Sequence, residues 1–295
     1  MSLICANEQL KGIGETCKQA TPLTALSGVI FTLADYEFAS LADFADETKW
    51  KEGIASGKIF PVQGVYEREG QDVEDAILES STGDKVFQYE GRRGQMLKFV
   101  LTLEQHKLLR QYSHLNLRYF KVDRNNNICG TTPDGVKVKG FKIPFLFVGK
   151  METPSSDAAA LTPVTIQEGN VNEWDRNGVY VNPEWFATDL HGTLHVEATP
   201  SSILTNAFSV TVAYVDGSQL QATGAKSSVA ITGLVADNFR VIDQTGAVVA
   251  APVVTESATI SGTYSVTASG MTAGTVQVVA TDDNLYKSDV ELVTA

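Results

Sequence analysis

The polar stretch from Asp123 to Asn127 has the oxygen-rich spacing of a calcium-binding loop, D-x-[DN]-x-[DN]. An EF-hand also needs glycine at position six of the loop and glutamate at position twelve, where this chain has Ile128 and Asp134. The residues on both sides of the stretch have the pattern of strands and not of helices. The sequence therefore predicts a polar hairpin turn here and no calcium site.

His191 and His195 are four residues apart, a spacing that on a helix places both imidazoles on one face and allows zinc binding. Gly192, Thr193 and their β-compatible neighbours predict strand or loop instead. No glutamate completes an HExxH motif. We therefore expect no metal at these histidines.

Motifs for catalysis or cofactor binding are not found elsewhere in the sequence. The segment Gly12-Ile13-Gly14-Glu15 is too short for a dinucleotide fingerprint, and no strand pattern precedes it. There is no GxSxG motif and no P-loop, and the aspartates and glutamates are scattered. We expect no catalytic residue and no cofactor, so the protein is predicted not to be an enzyme.

The three cysteines, Cys5, Cys17 and Cys129, are an odd number and include no CxxC pair. This count fits neither a disulfide framework nor a zinc finger. We expect three reduced thiols with structural roles.

The formal net charge of −12 makes the protein poorly suited to binding nucleic-acid phosphates, because that affinity comes from lysine and arginine. An acidic surface that faces DNA would repel it and let it slide past. No apolar run reaches the roughly 18 residues of a membrane span, so no membrane insertion is expected. The first residues lack a basic segment followed by an apolar one, which predicts synthesis in the cytoplasm without secretion.

The composition changes at the turn-rich segment 198–202. All tryptophans, cysteines and histidines precede residue 201, and residues 201–295 carry three basic against eight acidic side chains. A composition break in a turn-rich segment is typical of a domain boundary. The sequence predicts two domains, residues 1–200 and residues 201–295.

The C-terminal segment contains short runs rich in valine and threonine, separated by turn signals such as Asp216-Gly217-Ser218. Seven or eight such strands favour an immunoglobulin-like β-sandwich. The spacing of Ile260, Gly262 and Tyr264 also predicts a tyrosine corner, in which the hydroxyl bonds to backbone upstream. Strands are predicted from Phe208 to Val215 and at 228–232, 238–242, 247–254, 263–268, 275–281 and 289–293.

The first 200 residues combine helix and strand patterns, which predicts an α+β domain with one or two packed helices. Asp35–Gly53 is predicted as one helix with Phe38, Leu41, Ala45 and Trp50 on one side. A capping box from Thr102 to Gln105 begins a second helix, with Leu108, Leu109, Tyr112 and Leu115 as its apolar face. Strands are predicted at 59–62, where Pro61 favours an edge, and at 64–66, 85–89, 95–101, 117–122, 128–130, 136–138, 141–148, 162–167 and 178–181.

Two further segments suggest contacts with partners. Gln71–Asp84 is acidic but places Val73, Ile77 and Leu78 at the spacing of one helix face. We expect this segment to become ordered when it meets a neighbouring subunit. Trp174 and Trp185 flank an acidic stretch, and both an interface and an ordinary core position remain open for them.

Several stretches, taken together in their order, resemble structural proteins of tailed bacteriophages, especially those that infect Bacteroidetes. Within that group the chain is most similar to a major tail tube protein over about residues 1–190. The stretches are Leu33–Phe38, Ile59–Gly64, Arg118–Asp123 running into Asn127–Gly130, Asp134–Phe141, Ile166 through Glu173-Trp174, and Asn177–Val179.

The resemblance implies a mainly β fold, with a tail-tube-like β-barrel or sandwich followed by the immunoglobulin-like sandwich. Subunits would form rings, usually hexameric, whose sheets join into an inner barrel, and the rings would stack into a tube that carries DNA. Partners would be other copies of the chain and other tail or neck proteins, and genomic DNA would pass without specific binding. The C-terminal domain would be displayed outside the tube, with weak glycan contact possible, and the location would be the virion tail.

Two other functions fit the same features. A neck or capsid-associated protein of such a phage would form closed rings or decorate a shell and would not stack into tubes. A surface carbohydrate-binding or adhesive protein would use the sandwich as its binding module. Tubes, isolated rings or persistent monomers of the purified protein would separate the tail tube function from these two alternatives.

Overall fold

The computed structural model describes residues 23–79, 85–154, 159–204, 206–220 and 226–294. Cys5, Cys17 and the Gly12–Glu15 segment lie outside these ranges, as do residues 80–84 of the acidic segment. The described residues are mainly β-strand with short helices, arranged in several separate sheets, which confirms the prediction of a β-rich α+β fold. None of the described helices has the length and hydropathy of a membrane span.

The described residues divide into two compact units. The first contains the residues up to Trp50 together with Lys58–His191, and the second contains Lys51–Gly57 and the residues from Gly192 onward. The sequence placed the division at residue 200. The strand Glu197–Pro200 pairs with Ala207–Leu220, so hydrogen bonding joins these four residues to the C-terminal strands that follow.

Strands of the first unit are short and mostly antiparallel. They are β1 (Leu26–Leu33), β2 (Ile59–Gln63), β3 (Val65–Gly70), β4 (Ala76–Glu79), β5 (Lys85–Tyr89), β6 (Gly94–Val100), β7 (Leu117–Asp123), β8 (Ile128–Thr131), β9 (Phe141–Lys142), β10 (Phe145–Val148), β11 (Leu161–Gln167) and β12 (Gly178–Val181).

Helices in the described residues are also short. The α-helices are α1 (Leu41–Ala45), α2 (Glu47–Ala55), α3 (Leu103–Gln111) and α4 (Asn172–Asp175), and 3₁₀ turns occur at Tyr112–His114, Ala187–Asp189 and Ala236–Asn238.

Two sheets of the first unit pack on one another. The larger has the order β12-β8-β7-β1-β2, with β9 also paired to β7, and the smaller has the order β10-β11-β6-β3. Alternate residues of each strand face a shared apolar core, because successive side chains of a strand point to opposite faces. The core contains Phe31 and Tyr119 from the larger sheet and Leu97, Phe99 and Ile166 from the smaller one.

The opposite face of the larger sheet is covered by aromatic side chains. Phe120 points to this side of β7 and lies 5.1 Å from Trp50 and 5.4 Å from Phe44, measured between ring centroids. Phe38 completes the cluster, 4.6 Å from Trp50. Trp50 also donates its indole N–H to the carbonyl of Phe44 at 2.9 Å. The larger sheet is therefore buried on both faces, which explains the burial of nearly all of β7.

The prediction of one helix over Asp35–Gly53 is wrong in its start and its continuity. Ser40 caps α1 by accepting from the amide of Asp43, and the extended backbone of Asp46 separates α1 from α2. Phe38 lies before the helix and forms a bridge with Val138 instead. Serine and aspartate favour caps and turns over helix interiors, so the segment divides at these polar residues.

The capping box of α3 is confirmed. Thr102 accepts from the amide of Gln105 at 3.2 Å, and the Gln105 side chain accepts from the amide of Thr102 at 3.0 Å. The apolar face is only partly as expected, because His106 and Leu109 are the buried positions whereas Leu108 is 49% exposed. Burial lowers the pKa of His106, which lies 3.1 Å from the hydroxyl of Thr162.

Most predicted strands of the first unit are present, and Pro61 does lie in an edge strand, β2. Two predictions are wrong. Phe141–Val148 is two strands, β9 and β10, interrupted at Pro144, which has no N–H to donate. Val136–Val138 is not a strand and contributes a single bridge at Val138.

The second unit contains two sheets that pack on a shared core. Its strands are β13 (Leu194–His195), β14 (Glu197–Pro200), β15 (Ala207–Leu220), β16 (Lys226–Ala230), β17 (Phe239–Asp243), β18 (Val253–Glu256), β19 (Thr263–Thr267), β20 (Gly274–Val278), β21 (Tyr286–Lys287) and β22 (Glu291–Val293). One sheet has the order β14-β15-β19-β18 with β16 beside β15, and the other has the order β17-β20-β22. Strands β13 and β21 form a small parallel sheet beside them. Valines of both sheets, including Val212, Val266, Val241 and Val276, form one core.

The predicted turn at Asp216-Gly217-Ser218 is wrong. Strand β15 continues through these residues to Leu220, and its pairing with β16 is irregular between Asp216 and Leu220. The glycine therefore marks an irregularity inside a strand, a position that glycine often takes.

Tyr264 makes the hydrogen bond expected of a tyrosine corner. Its buried hydroxyl donates to the carbonyl of Ile231 at 2.8 Å and accepts from the amide of Leu234 at 3.2 Å. Both partners are upstream of Tyr264, as predicted. They are 33 and 30 residues away and lie in the connection between β16 and β17. Gly262 has a φ of 72°, and a Cβ there would lie 2.7 Å from the carbonyl of Val212. Glycine is therefore required at the turn that leads into β19.

Replacing Tyr264 by phenylalanine is expected to destabilise the second unit by about 1–3 kcal/mol, because two buried backbone groups lose their partner. Urea unfolding of the full chain would measure this change. Tyr286→Phe is the control, since Tyr286 is only partly buried at the edge of the same core. Equal stability of the two variants would contradict the structural role of the Tyr264 hydroxyl.

Candidate functional site

The structure places Asp123 in a hairpin turn between β7 and β8, as predicted. One carboxylate oxygen accepts from the amides of Asn125 and Asn127, and the other accepts from the amide of Thr24 and the side chain of Asn127. Asn126 has a φ of 64°, which suits asparagine in a tight turn. The carboxylate therefore stabilises the turn through four N–H donors.

His191 and His195, which were considered as a zinc pair, do not lie on a helix. His191 is exposed in a loop, and His195 is exposed in the two-residue strand β13. The imidazole of His195 lies 3.7 Å from the carboxylate of Asp289. Within the described ranges, no group of three histidine, cysteine, aspartate or glutamate side chains is arranged to hold a metal ion.

Both tryptophans whose role was open pack inside the first unit. The Trp174 ring lies 5.3 Å from Phe141, and the Trp185 ring lies 6.4 Å from Trp50. Trp185 also donates its indole N–H to the carbonyl of Ala45 at 2.9 Å. Half-buried positions with these contacts favour a packing role for both.

Cys129 is a free, buried thiol in β8, consistent with the predicted structural role. Burial raises the pKa of this thiol to about 12. The thiolate is the reactive form of cysteine, so this side chain is chemically inert at neutral pH.

A buried polar network joins the two sheets of the first unit. The ammonium of Lys121 in β7 lies 2.6 Å from the carboxylate of Glu168, which directly follows β11. Tyr119 donates its hydroxyl to the same carboxylate oxygen at 2.5 Å and accepts from the side chain of Gln95 in β6 at 2.9 Å. Burial, reinforced by the Glu168 charge, raises the pKa of Tyr119 well above its usual value.

Aromatic rings surround the ammonium of Lys121. It lies 4.5 Å from the ring centroid of Trp174 and 4.9 Å from that of Phe141. Contacts of this kind stabilise a cation that has lost its water. The network therefore fixes the position of the smaller sheet on the larger one without leaving the lysine unpaired.

The smaller sheet ends in two edge strands that run in opposite directions. Within the described part of the chain, β3 pairs only with β6, and β10 pairs only with β11. Each of the three adjacent pairs is antiparallel, so β10 and β3 are antiparallel to one another. An exposed sheet edge presents unpaired N–H and C=O groups that can bind another strand.

The β10 edge carries exposed aromatic side chains. Phe145 is 50% exposed and Phe147 is 54% exposed, and their rings stack with centroids 6.5 Å apart. Leu146 and Val148 alternate with them and face the core. The amide of Val148 donates to the hydroxyl of Ser113 at 3.3 Å, so the end of the edge nearest Val148 is partly covered.

No protein-family model matches the chain, and no curated protein matches it.

The hairpin formed by β4 and β5 is exposed on both faces. Ile77 pairs with Phe87 on one face and Leu78 pairs with Val86 on the other, and all four side chains are between 54% and 58% exposed. The prediction that Val73, Ile77 and Leu78 have the spacing of one helix face is therefore wrong as a description of the structure, because Ala76–Glu79 is a strand. The exposed aromatic edge of β10 was missed, since alternation alone does not reveal which strands remain unpartnered. Part of the hairpin, within Gln71–Asp84, was expected to meet a neighbouring subunit, and that expectation stays a prediction.

The described residues of the first unit thus offer an exposed aromatic strand, an exposed apolar hairpin and the two open edges of the smaller sheet. These features can bind another protein chain. The buried charges, by contrast, are already paired inside the fold.

Proposed function

We propose that the protein is a structural subunit that assembles into closed rings and stacked tubes, as a tail tube protein of a tailed phage does. The observation that carries this proposal is the smaller sheet of the first unit, with its two open and oppositely directed edges. The resemblance of residues 1–190 to tail tube proteins supports the same function. The role is architectural and not catalytic.

Ring closure follows from the direction of the edge strands. If β10 of one copy pairs with β3 of the next, the antiparallel alternation continues from copy to copy. The contact is heterologous, because two different edges meet, and a heterologous contact closes a ring when the rotation between copies allows it. Six copies with four strands each would form a barrel of 24 strands, which is wide enough for an open channel.

The face of this sheet that points away from the core would line the channel. Glu67 and Glu69 of β3 are exposed on the sheet, and Lys98 of β6 is paired to Glu67 at 3.0 Å. With a net charge of −12 for the chain, such a lining would not retain DNA phosphates. Genomic DNA would pass through without specific binding.

The second unit fits an immunoglobulin-like domain displayed on the outside of the tube. Its two-sheet sandwich and the Tyr264 hydrogen bond support this assignment. We propose that the protein is located in the virion tail and that other tail or neck proteins are further partners. Weak contact of this unit with cell-surface glycans belongs to the same proposal.

Electron microscopy of the purified full-length protein over a concentration series tests the proposal. Hollow tubes with a regular axial repeat are the expected result. Isolated rings at every concentration would favour the neck or capsid-associated alternative. Monomers at high concentration would contradict self-assembly and favour the carbohydrate-binding or adhesive alternative.

A further inference from the structure

We infer that the β4–β5 hairpin of one copy binds the exposed surface of α3 in a second copy, and that this contact stacks the subunits along the strand direction. The inference rests on the proposed function, because it concerns how the same assembly is extended. It goes beyond ring formation, since it concerns the two ends of the strands of the smaller sheet and not the pairing of that sheet's edges.

The hairpin needs a covering surface. A two-stranded hairpin is at best marginally stable alone in water, and three or more strands or a packed partner are normally required. Both faces of this hairpin carry an exposed apolar pair, and Tyr89 beside them is 60% exposed. No element of the described first unit covers either face, since all residues of β5 and nearly all of β4 are exposed. The covering surface is therefore expected on another molecule.

The charge of the hairpin indicates what kind of surface can cover it. The described hairpin segment, residues 71–79 and 85–90, contains five acidic side chains and one lysine. Glu74 and Glu79 are exposed, and within the described residues neither forms an ion pair. An acidic and apolar hairpin fits a surface that is basic and apolar.

The α3 segment, defined as residues 103–115 with α3 and the 3₁₀ turn after it, has these properties. Leu103, Leu108 and Leu115 are between 45% and 49% exposed. Lys107 and Arg110 are exposed on the same segment, against a single acidic residue, Glu104, which lies 3.5 Å from Lys107. A basic apolar segment is unusual in a chain with a net charge of −12.

The two surfaces lie at opposite ends of the smaller sheet. The hairpin leaves the sheet between the end of β3 at Gly70 and the start of β6 at Gly94. Strand β6 then runs to Val100, and α3 begins three residues later. Seven strand residues span roughly 23 Å, so a hairpin that extends away from the sheet cannot reach α3 of its own copy. A contact between opposite ends of two copies is heterologous, and where the rotation between copies does not close a ring it repeats along an axis.

Removal of the apolar pair tests the contact. The variant Ile77→Ser with Phe87→Ser is expected to form rings but to need about ten-fold or more higher protein concentration for tubes. The control is Val253→Ser with Leu292→Ser, which alters two side chains of the second unit that are 64% and 75% exposed. Electron microscopy and pelleting would score rings and tubes. Tubes at the unaltered concentration from the hairpin variant would overturn the inference.

Charge reversal provides a second test that does not depend on apolar substitutions. Glu74→Lys with Glu79→Lys, and separately Lys107→Glu with Arg110→Glu, should each reduce tube formation, and the combined variant should restore it. Failure of the combination to restore tubes would overturn the inference. Rings without tubes from the unaltered protein would also overturn it while leaving ring formation intact. Monomers from the unaltered protein would instead contradict the proposed function.

Discussion

Replacing Lys121 by methionine is expected to lower the free energy of unfolding of the first unit by about 3–5 kcal/mol. The substitution keeps the apolar stem near Trp174 and Phe141 but removes the ammonium 2.6 Å from Glu168. Glu168 is only 4% exposed and would remain as a buried carboxylate without its cation. Removing one partner of a buried ion pair lowers the free energy of unfolding far more than removing one partner of an exposed ion pair.

Urea unfolding followed by tryptophan fluorescence measures this effect, because Trp174 lies beside the pair. The matched control is Lys137→Met, which removes a lysine that pairs with Glu37 at the surface and should cost less than about 1 kcal/mol. A second variant, Lys121→Met with Glu168→Met, should recover part of the lost stability, since no unpaired charge is left. Similar losses for Lys121→Met and Lys137→Met would contradict the structural role of the buried pair.

The double substitution Phe145→Lys with Phe147→Lys is expected to abolish ring formation and leave monomers. Both side chains are about half exposed on the open edge of β10, so the fold itself should tolerate the change. Lysines on an edge strand prevent another strand from pairing there, because their charges would have to lose water. Sedimentation velocity at a concentration where the unaltered protein forms rings is the measurement.

A lysine pair on another edge strand is the control for net charge. Val253→Lys with Thr255→Lys places two lysines on the exposed positions of β18, the edge of a sheet in the second unit. This control adds the same charge and should assemble like the unaltered protein. Rings from the Phe145 and Phe147 variant would show that β10 is not the assembly edge.

Local patterns were sufficient for features that depend on neighbouring residues. The capping box at Thr102, the hairpin turn at Asp123 and most C-terminal strands were predicted because each is determined within a few residues of sequence. Tyr264 was also found from local spacing, although its partner Ile231 lies 33 residues upstream. Its partner depends on which strands pack together, and spacing alone does not specify that.

Features that depend on distant residues were not predicted. Lys121 and Glu168 meet only because β7 and β11 belong to two sheets that pack face to face, and neither residue has a distinctive local motif. Strand β5 was predicted, but β4 was taken for part of a helical face because Val73, Ile77 and Leu78 fit both periods over so short a segment. Which strand edges remain open likewise depends on the pairing order of the whole sheet.

Disulfide cross-linking across the open edges tests ring formation most directly. Cysteines would replace Glu69 in β3 and Phe147 in β10, with Glu67 and Phe145 as alternatives for a shifted register, in a chain carrying Cys5→Ser and Cys17→Ser. Cys129 can stay, because it is buried and its pKa is raised to about 12. Within one copy β3 and β10 are three strand spacings apart, about 14 Å, too far for a disulfide.

Any bond between the two positions must therefore join two copies. We predict that oxidation of the assembled protein produces a ladder of covalent multimers on a non-reducing gel, which disappears when either cysteine is omitted. Monomers alone from every cysteine pair, under conditions where the protein assembles, would contradict the pairing of β10 with β3.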